Sequence, residues 1–262
     1  MPGYTLLDLL PLWAFFVVTL LFFLLSIEGG YRMGRDRRQR AKEEKDTPVG
    51  GMVGATLGLF AFLLAFTFGF AATRFEARQQ LVLDEANAVR TAYLRAELLS
   101  EPHRTIILKL LREYVDVRLE TVRTGKLKQG IRQSEELHDL LWQQAAAIAP
   151  ENRDQVVVVP FLQSLTEVIN IHSKRALIAQ RGRIPGTIWA ALYVVGVIAL
   201  GVMGYYSGLT GTSRSLALLA VAIAFSAVMW LIANLDRPRE GTFKVSQQPL
   251  MDVRRMMVEQ KP

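Results

Sequence analysis

The chain has 262 residues, 51% of them hydrophobic, no cysteine, and a formal net charge of +7. The missing cysteine excludes disulfides and thiol chemistry and leaves the redox compartment open. The basic excess requires no nucleic acid, because much of it flanks apolar stretches, where membrane topology and lipid headgroups account for it.

A hydrocarbon core needs about 20 apolar residues to cross, and four stretches are long enough: 9–27, 49–73, 188–206 and 215–235. Their central portions carry no Lys, Arg, Asp, Glu or His. The first is not read as a cleavable signal, since it lacks a basic n-region and Leu25-Ser26-Ile27-Glu28 is no small-x-small site. Residues 1–73 are expected to hold the first two spans and a basic loop over 28–48, with Arg32, Arg35, Arg37, Arg38, Arg40, Lys42 and Lys45. A short basic loop is topogenic, and the charge rule favours the cytoplasmic side for it.

The second span, VGGMVGATLGLFAFLLAFTFGFAAT, carries two patterns. Gly50, Gly54, Gly58, Ala61, Ala65 and Gly69 recur at three-and-four spacing, a small-residue stripe that suits close approach of another helix in lipid. Phe62, Phe66 and Phe70 stack at i, i+4 and i+8 on a different face, with Phe60 and Phe68 on the aromatic flank. No Pro or Gly interrupts Thr73 to Leu99, which predicts one helix passing from lipid into water.

Residues 74–183 are polar and helical in pattern, predicting an extramembrane bundle continuous with the second and third spans. Phe75, Val82, Ala86, Val89, Tyr93 and Ala96 form its first apolar stripe. Ser100-Glu101-Pro102 predicts an N-cap and a new helix, carrying Ile107, Leu110, Tyr114 and Val117 on one face. The run 156–159 would fit a short strand, but the spacing after it predicts helix with a kink or restart at Pro160. Residues 184–235 then form a transmembrane hairpin and 236–262 a polar tail. The fold class is all-α, a four-span membrane protein.

No P-loop, dinucleotide fingerprint, HExxH or nucleophile elbow is present, so no enzyme chemistry, cofactor or metal is expected. His103, His138 and His172 lie on three separate predicted helices and read as ordinary surface or bundle histidines, and Asp84-Glu85 as a solvated helix face. The spans hold no ionisable residue at membrane depth, which argues against proton-coupled transport. If several copies pack around an axis, Phe62, Phe66 and Phe70 would form a hydrophobic constriction. Facing lipid is the commoner role for such residues.

Four stretches together resemble the bestrophin-like domain family: SIEGGYRMGRDRR, LLAFTFGFAATRFEARQQLVLDEANAVRTAYLRAELL, REYVDVRL and NLDRPREGTFKVSQQPL. Their order and spacing agree over nearly the whole chain. The resemblance implies a multi-pass protein of the bacterial inner membrane, homo-oligomeric and pentameric if it assembles as bestrophins do. It also implies that the second span forms an aromatic neck, and it places the helical domain in the cytoplasm, against the loop-charge reading. The acidic calcium clasp of bestrophins is not carried over, because Asp236 is followed by Arg237-Pro238-Arg239. The leading expectation is an ion channel for small inorganic anions, with Arg74 and Arg78 at one mouth and Arg32 to Arg40 at the other. The alternative is a non-conducting scaffold or sensor whose helical domain binds a partner protein.

Overall fold

Long stretches without proline, apolar on one face or all round, become helices, and among the described residues no strand forms. The computed structural model describes residues 10–40, 49–151, 155–181, 183–212, 216–237 and 241–259. Among the described residues, eight helices follow in order: α1 Leu12–Arg40, α2 Val49–Ala96, α3 His103–Thr124, α4 Leu127–Glu151, α5 Gln155–Arg181, α6 Gly186–Thr210, α7 Leu216–Asp236 and α8 Gln248–Glu259. The chain divides into two compact units, Met1–Phe75 with Arg183–Lys244, and Glu76–Gly182 with Val245–Pro262.

The first unit joins α1, α6, α7 and the first part of α2. In lipid, helices gain little from burying apolar surface against each other, so close van der Waals packing must hold them. Glycine provides it here. A β-carbon on Gly30 of α1 would lie 2.0 Å from the Gly201 carbonyl oxygen of α6, and one on Gly204 would lie 2.2 Å from the Ile27 carbonyl oxygen. Gly34 and Gly208 repeat the approach one turn further on. Two side-chain bonds lock the same pair of helices: Ser26 Oγ donates to the Val197 carbonyl at 2.7 Å, and the Thr19 and Tyr193 hydroxyls meet at 2.7 Å. Phe15, Phe23, Phe60, Leu192, Met229 and Ile232 fill the core.

This contact also changes the expected boundary of the first helix. Gly29, Gly30 and Gly34 among charged residues read as loop, yet α1 continues to Arg40. Gly30 and Gly34 are seated on α6, and Glu28 and Arg32 form an i, i+4 ion pair at 2.7 Å along the extension. Residues 41–48 of the expected loop lie outside the described residues.

The second unit is a bundle of the later part of α2 with α3, α4, α5 and α8. Val82, Ala86, Val89, Tyr93 and Ala96 of α2 enter its core with Ile107, Leu111, Leu141, Phe161 and Leu165. The N-cap position of α3 is Pro102 rather than Ser100, and the carboxylate of Glu101 just before it accepts from the Thr105 backbone N–H at 3.3 Å and hydroxyl at 3.0 Å. Gly125, at φ 71°, ends that helix in the left-handed conformation that glycine adopts without a steric penalty. Pro160 lies inside α5, which neither restarts nor becomes strand there. The tail beyond 244 includes α8, which buries Leu250, Val253 and Met257 in this core, and Arg254 pairs with Asp116.

Among the described residues, five helices are long and apolar enough to cross a membrane: α1, α2, α5, α6 and α7. The protein is a multi-pass membrane protein. The fifth candidate was not among the four expected from sequence. We read α5 as a bundle helix, because it buries Phe161, Leu165, Val168 and Ile171 in the second unit's core beside the ion-paired Arg175.

The glycine contact makes a direct test possible. Gly204→Val is expected to destabilise the detergent-solubilised protein by about 2 kcal/mol or more, since the helices must separate. Gly29→Ala, whose β-carbon meets nothing within 4 Å, should leave the melting temperature unchanged or slightly raised. Equal melting of both variants would contradict the close approach.

Candidate functional site

At about 100° per residue, the transmembrane part of α2 divides into three faces. Phe60, Leu64, Thr67 and Ala71 share one, and all are buried in the first unit. Phe60 packs edge-on against Phe23 at 5.8 Å and tilted against Phe225 at 4.8 Å between ring centroids. Sequence placed Phe60 on the aromatic flank, whereas with Leu64, Thr67 and Ala71 it packs α2 into the core of the first unit.

The second face carries the small residues. Gly54, Gly58 and Gly69 have no neighbour within 4 Å of a β-carbon position, Ala61 and Ala65 are exposed, and Gly50 alone meets a side chain, the Tyr206 hydroxyl at 3.4 Å. No helix of this chain covers the stripe among the described residues. The third face lies about 110° further round and carries the phenylalanines. Phe62 is 65% and Phe66 70% exposed, and Phe70 is exposed with them. The Arg74 guanidinium lies 4.2 Å above the Phe70 ring, and its Nη1 donates to the Arg183 carbonyl at 2.7 Å. Both contacts fix positive charge at the end of the aromatic row. Arg78 lies beyond the division, half-buried in the second unit. A row at every fourth residue drifts by about 40° per step, so Arg78 does not share the face of Phe62.

The second unit contains a buried polar cluster that sequence reading missed. Glu85, taken for a solvated residue, is fully buried. It sits three residues after Val82 and four before Val89, inside the apolar stripe, and that position was the available signal. Its carboxylate accepts from the Tyr114 hydroxyl and pairs with Arg118 at 3.0 Å and with Arg175. Asp84 next to it is half-buried and accepts from Gln80 Nε2 at 2.8 Å. His138 and His172, on α4 and α5, converge with perpendicular rings whose centroids are 4.8 Å apart. Tyr114 lies against both. His103 is elsewhere, with its Nδ1 2.9 Å from Gln144 Oε1.

Burial controls the protonation of this cluster. It pushes the Tyr114 hydroxyl up to about 12, with the Arg118 charge opposing. It pushes His138 down to about 4, aided by Arg118 and opposed by Asp139, and His172 down to about 3, aided by Arg118 and His138. Arg175 falls to about 10 through desolvation. Around neutral pH both imidazoles are therefore neutral, and one carboxylate stands between two guanidiniums. Among the described residues, no three histidine or carboxylate side chains converge as metal ligands.

A model of the Bestrophin-like domain family matches residues 14–250. No curated protein matches the sequence. A bacterial bestrophin homologue from Klebsiella pneumoniae shares the fold. One mutant form of it superposes with a TM-score of 0.68 at 14% identity, over 95% of this chain and 97% of that one. Another structure of the homologue gives 0.65 at 14% identity, over 95% and 98%. A further mutant gives 0.67 at 13%, over 91% and 97%. At such identities the likeness is one of fold.

The buried carboxylate gives the second prediction. Glu85→Gln leaves two guanidiniums facing each other and is expected to destabilise the protein by about 3–5 kcal/mol. Tyr114→Phe, which removes only the hydroxyl, should cost about 1–3 kcal/mol. Thermal unfolding of the full-length protein measures both; equal stability of Glu85→Gln and the wild type would show the cluster to be solvated.

Proposed function

We propose that this chain, which belongs to the bestrophin-like domain family, is the subunit of an oligomeric ion channel. One observation carries the reading: α2 gives a single face to its own subunit and leaves two apolar faces uncovered. The small-residue face suits the backbone of a neighbouring copy, where close approach replaces the missing hydrophobic drive. With that face at the subunit boundary, the row of Phe62, Phe66 and Phe70 turns toward a shared axis. Five copies follow from the family resemblance.

Three phenylalanine rings per copy then line a passage narrow enough to lose its water, a hydrophobic gate. Beyond it, the Arg74 guanidinium, fixed over Phe70, presents positive charge to whatever enters. A ring of such charges attracts small inorganic anions and repels cations. The channel sits in a cell membrane, the bacterial inner membrane by the same resemblance.

Ion flux from liposomes carrying the purified protein, with chloride and potassium gradients applied separately, tests this. Chloride flux is expected, raised several-fold by Phe66→Ala. Flux unchanged by that substitution removes α2 from the constriction. Arg74→Glu should shift the reversal potential toward potassium, and an unshifted potential takes Arg74 out of the pathway. No flux for either ion from a monodisperse oligomer would favour a scaffold or sensor acting through residues 74–183.

A further inference from the structure

The buried cluster of the second unit has a property that conduction does not use. His138 is 5% exposed and His172 2%, and the Nε2 atom of each is buried without a hydrogen-bond partner. The groups facing them are Glu85 from α2, Tyr114 and Arg118 from α3, Asp139 beside His138 on α4, and Arg175 from α5. The Arg254 side chain of α8 is engaged elsewhere, with Asp116. One buried carboxylate against two guanidiniums leaves this interior with a surplus positive charge.

Proton placement follows from the contacts. The Tyr114 hydroxyl donates its single proton to the Glu85 carboxylate. Its 3.4 Å contact with His172 Nδ1 is then a hydrogen bond only if Nδ1 carries a hydrogen and donates to the phenolic oxygen. That tautomer leaves His172 Nε2 as a bare lone pair. A metal cation there would meet Arg118 and Arg175, and an anion would meet the lone pair. The lone pair is basic and can take up a proton.

We propose that His138 and His172 form a proton sensor in the second unit, whose protonation drives α4 and α5 apart. A proton from water binds the Nε2 lone pair, and the imidazolium formed adds a further positive charge beside Arg118. Glu85 is already engaged by Tyr114, Arg118 and Arg175. Asp139 is exposed, so water screens it. Relief comes from hydrating the imidazolium, which requires the two helices that carry the pair to separate.

The direction of the pH dependence is fixed by burial. Both histidines are held below their ordinary value near 6.5, His138 to about 4 and His172 to about 3. The opened form therefore binds protons more readily than the closed one. Closure is fully stable above about pH 6.5 and weakens steadily as the pH falls toward the folded-state values. At pH 5 each histidine released raises the opening constant about thirtyfold.

Hydrogen exchange on the full-length protein in lipid nanodiscs tests this without any flux measurement, so it stands or falls apart from the channel reading. Between about pH 7.5 and about pH 5, corrected for intrinsic exchange, the amides of α4 and α5 should open about thirtyfold more often or better. Those of α1 and α6 should not change. The double variant His138→Gln with His172→Asn, which cannot titrate, should lose most of the effect; equal rises in the variant and the wild type overturn the proposal. A second measurement does not depend on the variant folding. Histidine carbon resonances of the wild type should show the pair neutral through pH 6, and titration near 6.5 with α4 and α5 still protected overturns it.

Discussion

Backbone against backbone is the contact on which the first unit depends. Carbonyl oxygens of α6 and α1 occupy the places where β-carbons of Gly30, Gly34, Gly204 and Gly208 would stand. A pair of helices packed that closely, and pinned by the Ser26 and Thr19 bonds, needs little help from a third. With α7 laid on α1, the arrangement leaves α2 attached by one face, through Phe60, Leu64, Thr67 and Ala71. The proposed passage depends on the two faces of α2 that this arrangement leaves free.

The second unit is organised by charge as well as by apolar burial. Taking a carboxylate and two guanidiniums out of water costs several kcal/mol per ion, and attraction repays this only when geometry and hydrogen bonds are good. Glu85 meets that condition with Tyr114, Arg118 and Arg175 around it. Apolar residues of similar size in place of the whole ionic group would serve stability equally well, whereas loss of one member alone would not. The ionic arrangement instead makes the interior hostile to any additional positive charge, which gives neutral histidines there a pH-dependent consequence.

Sequence conveyed the helical class, the long α2 and the patterns on its lipid-depth faces, because hydropathy and three-and-four spacing are local properties. It did not reveal that α1 continues to Arg40, since glycines among arginines look like loop until their partner helix is known. Nor could it bring His138 to His172, which are 34 positions apart and meet only through the packing of α4 on α5. Glu85 was legible in principle. A lone carboxylate at a core position of a helix implies a buried cation, and Arg118, four residues after the buried Tyr114, occupies the matching position on α3. The fifth long apolar helix, α5, is less apolar than the other four, in keeping with the polar bundle that the sequence pattern predicted over 74–183.

The most direct test of the central claim, that copies of α2 meet around an axis, is a distance between copies. The chain has no cysteine, so a single Phe66→Cys places one spin label per subunit on the aromatic face. Val194→Cys, on an exposed position of α6, provides the comparison. In membranes, the account predicts strong coupling between Phe66→Cys labels and clearly longer separations for Val194→Cys. Equal separations at the two sites, or no coupling at Phe66→Cys, would contradict it.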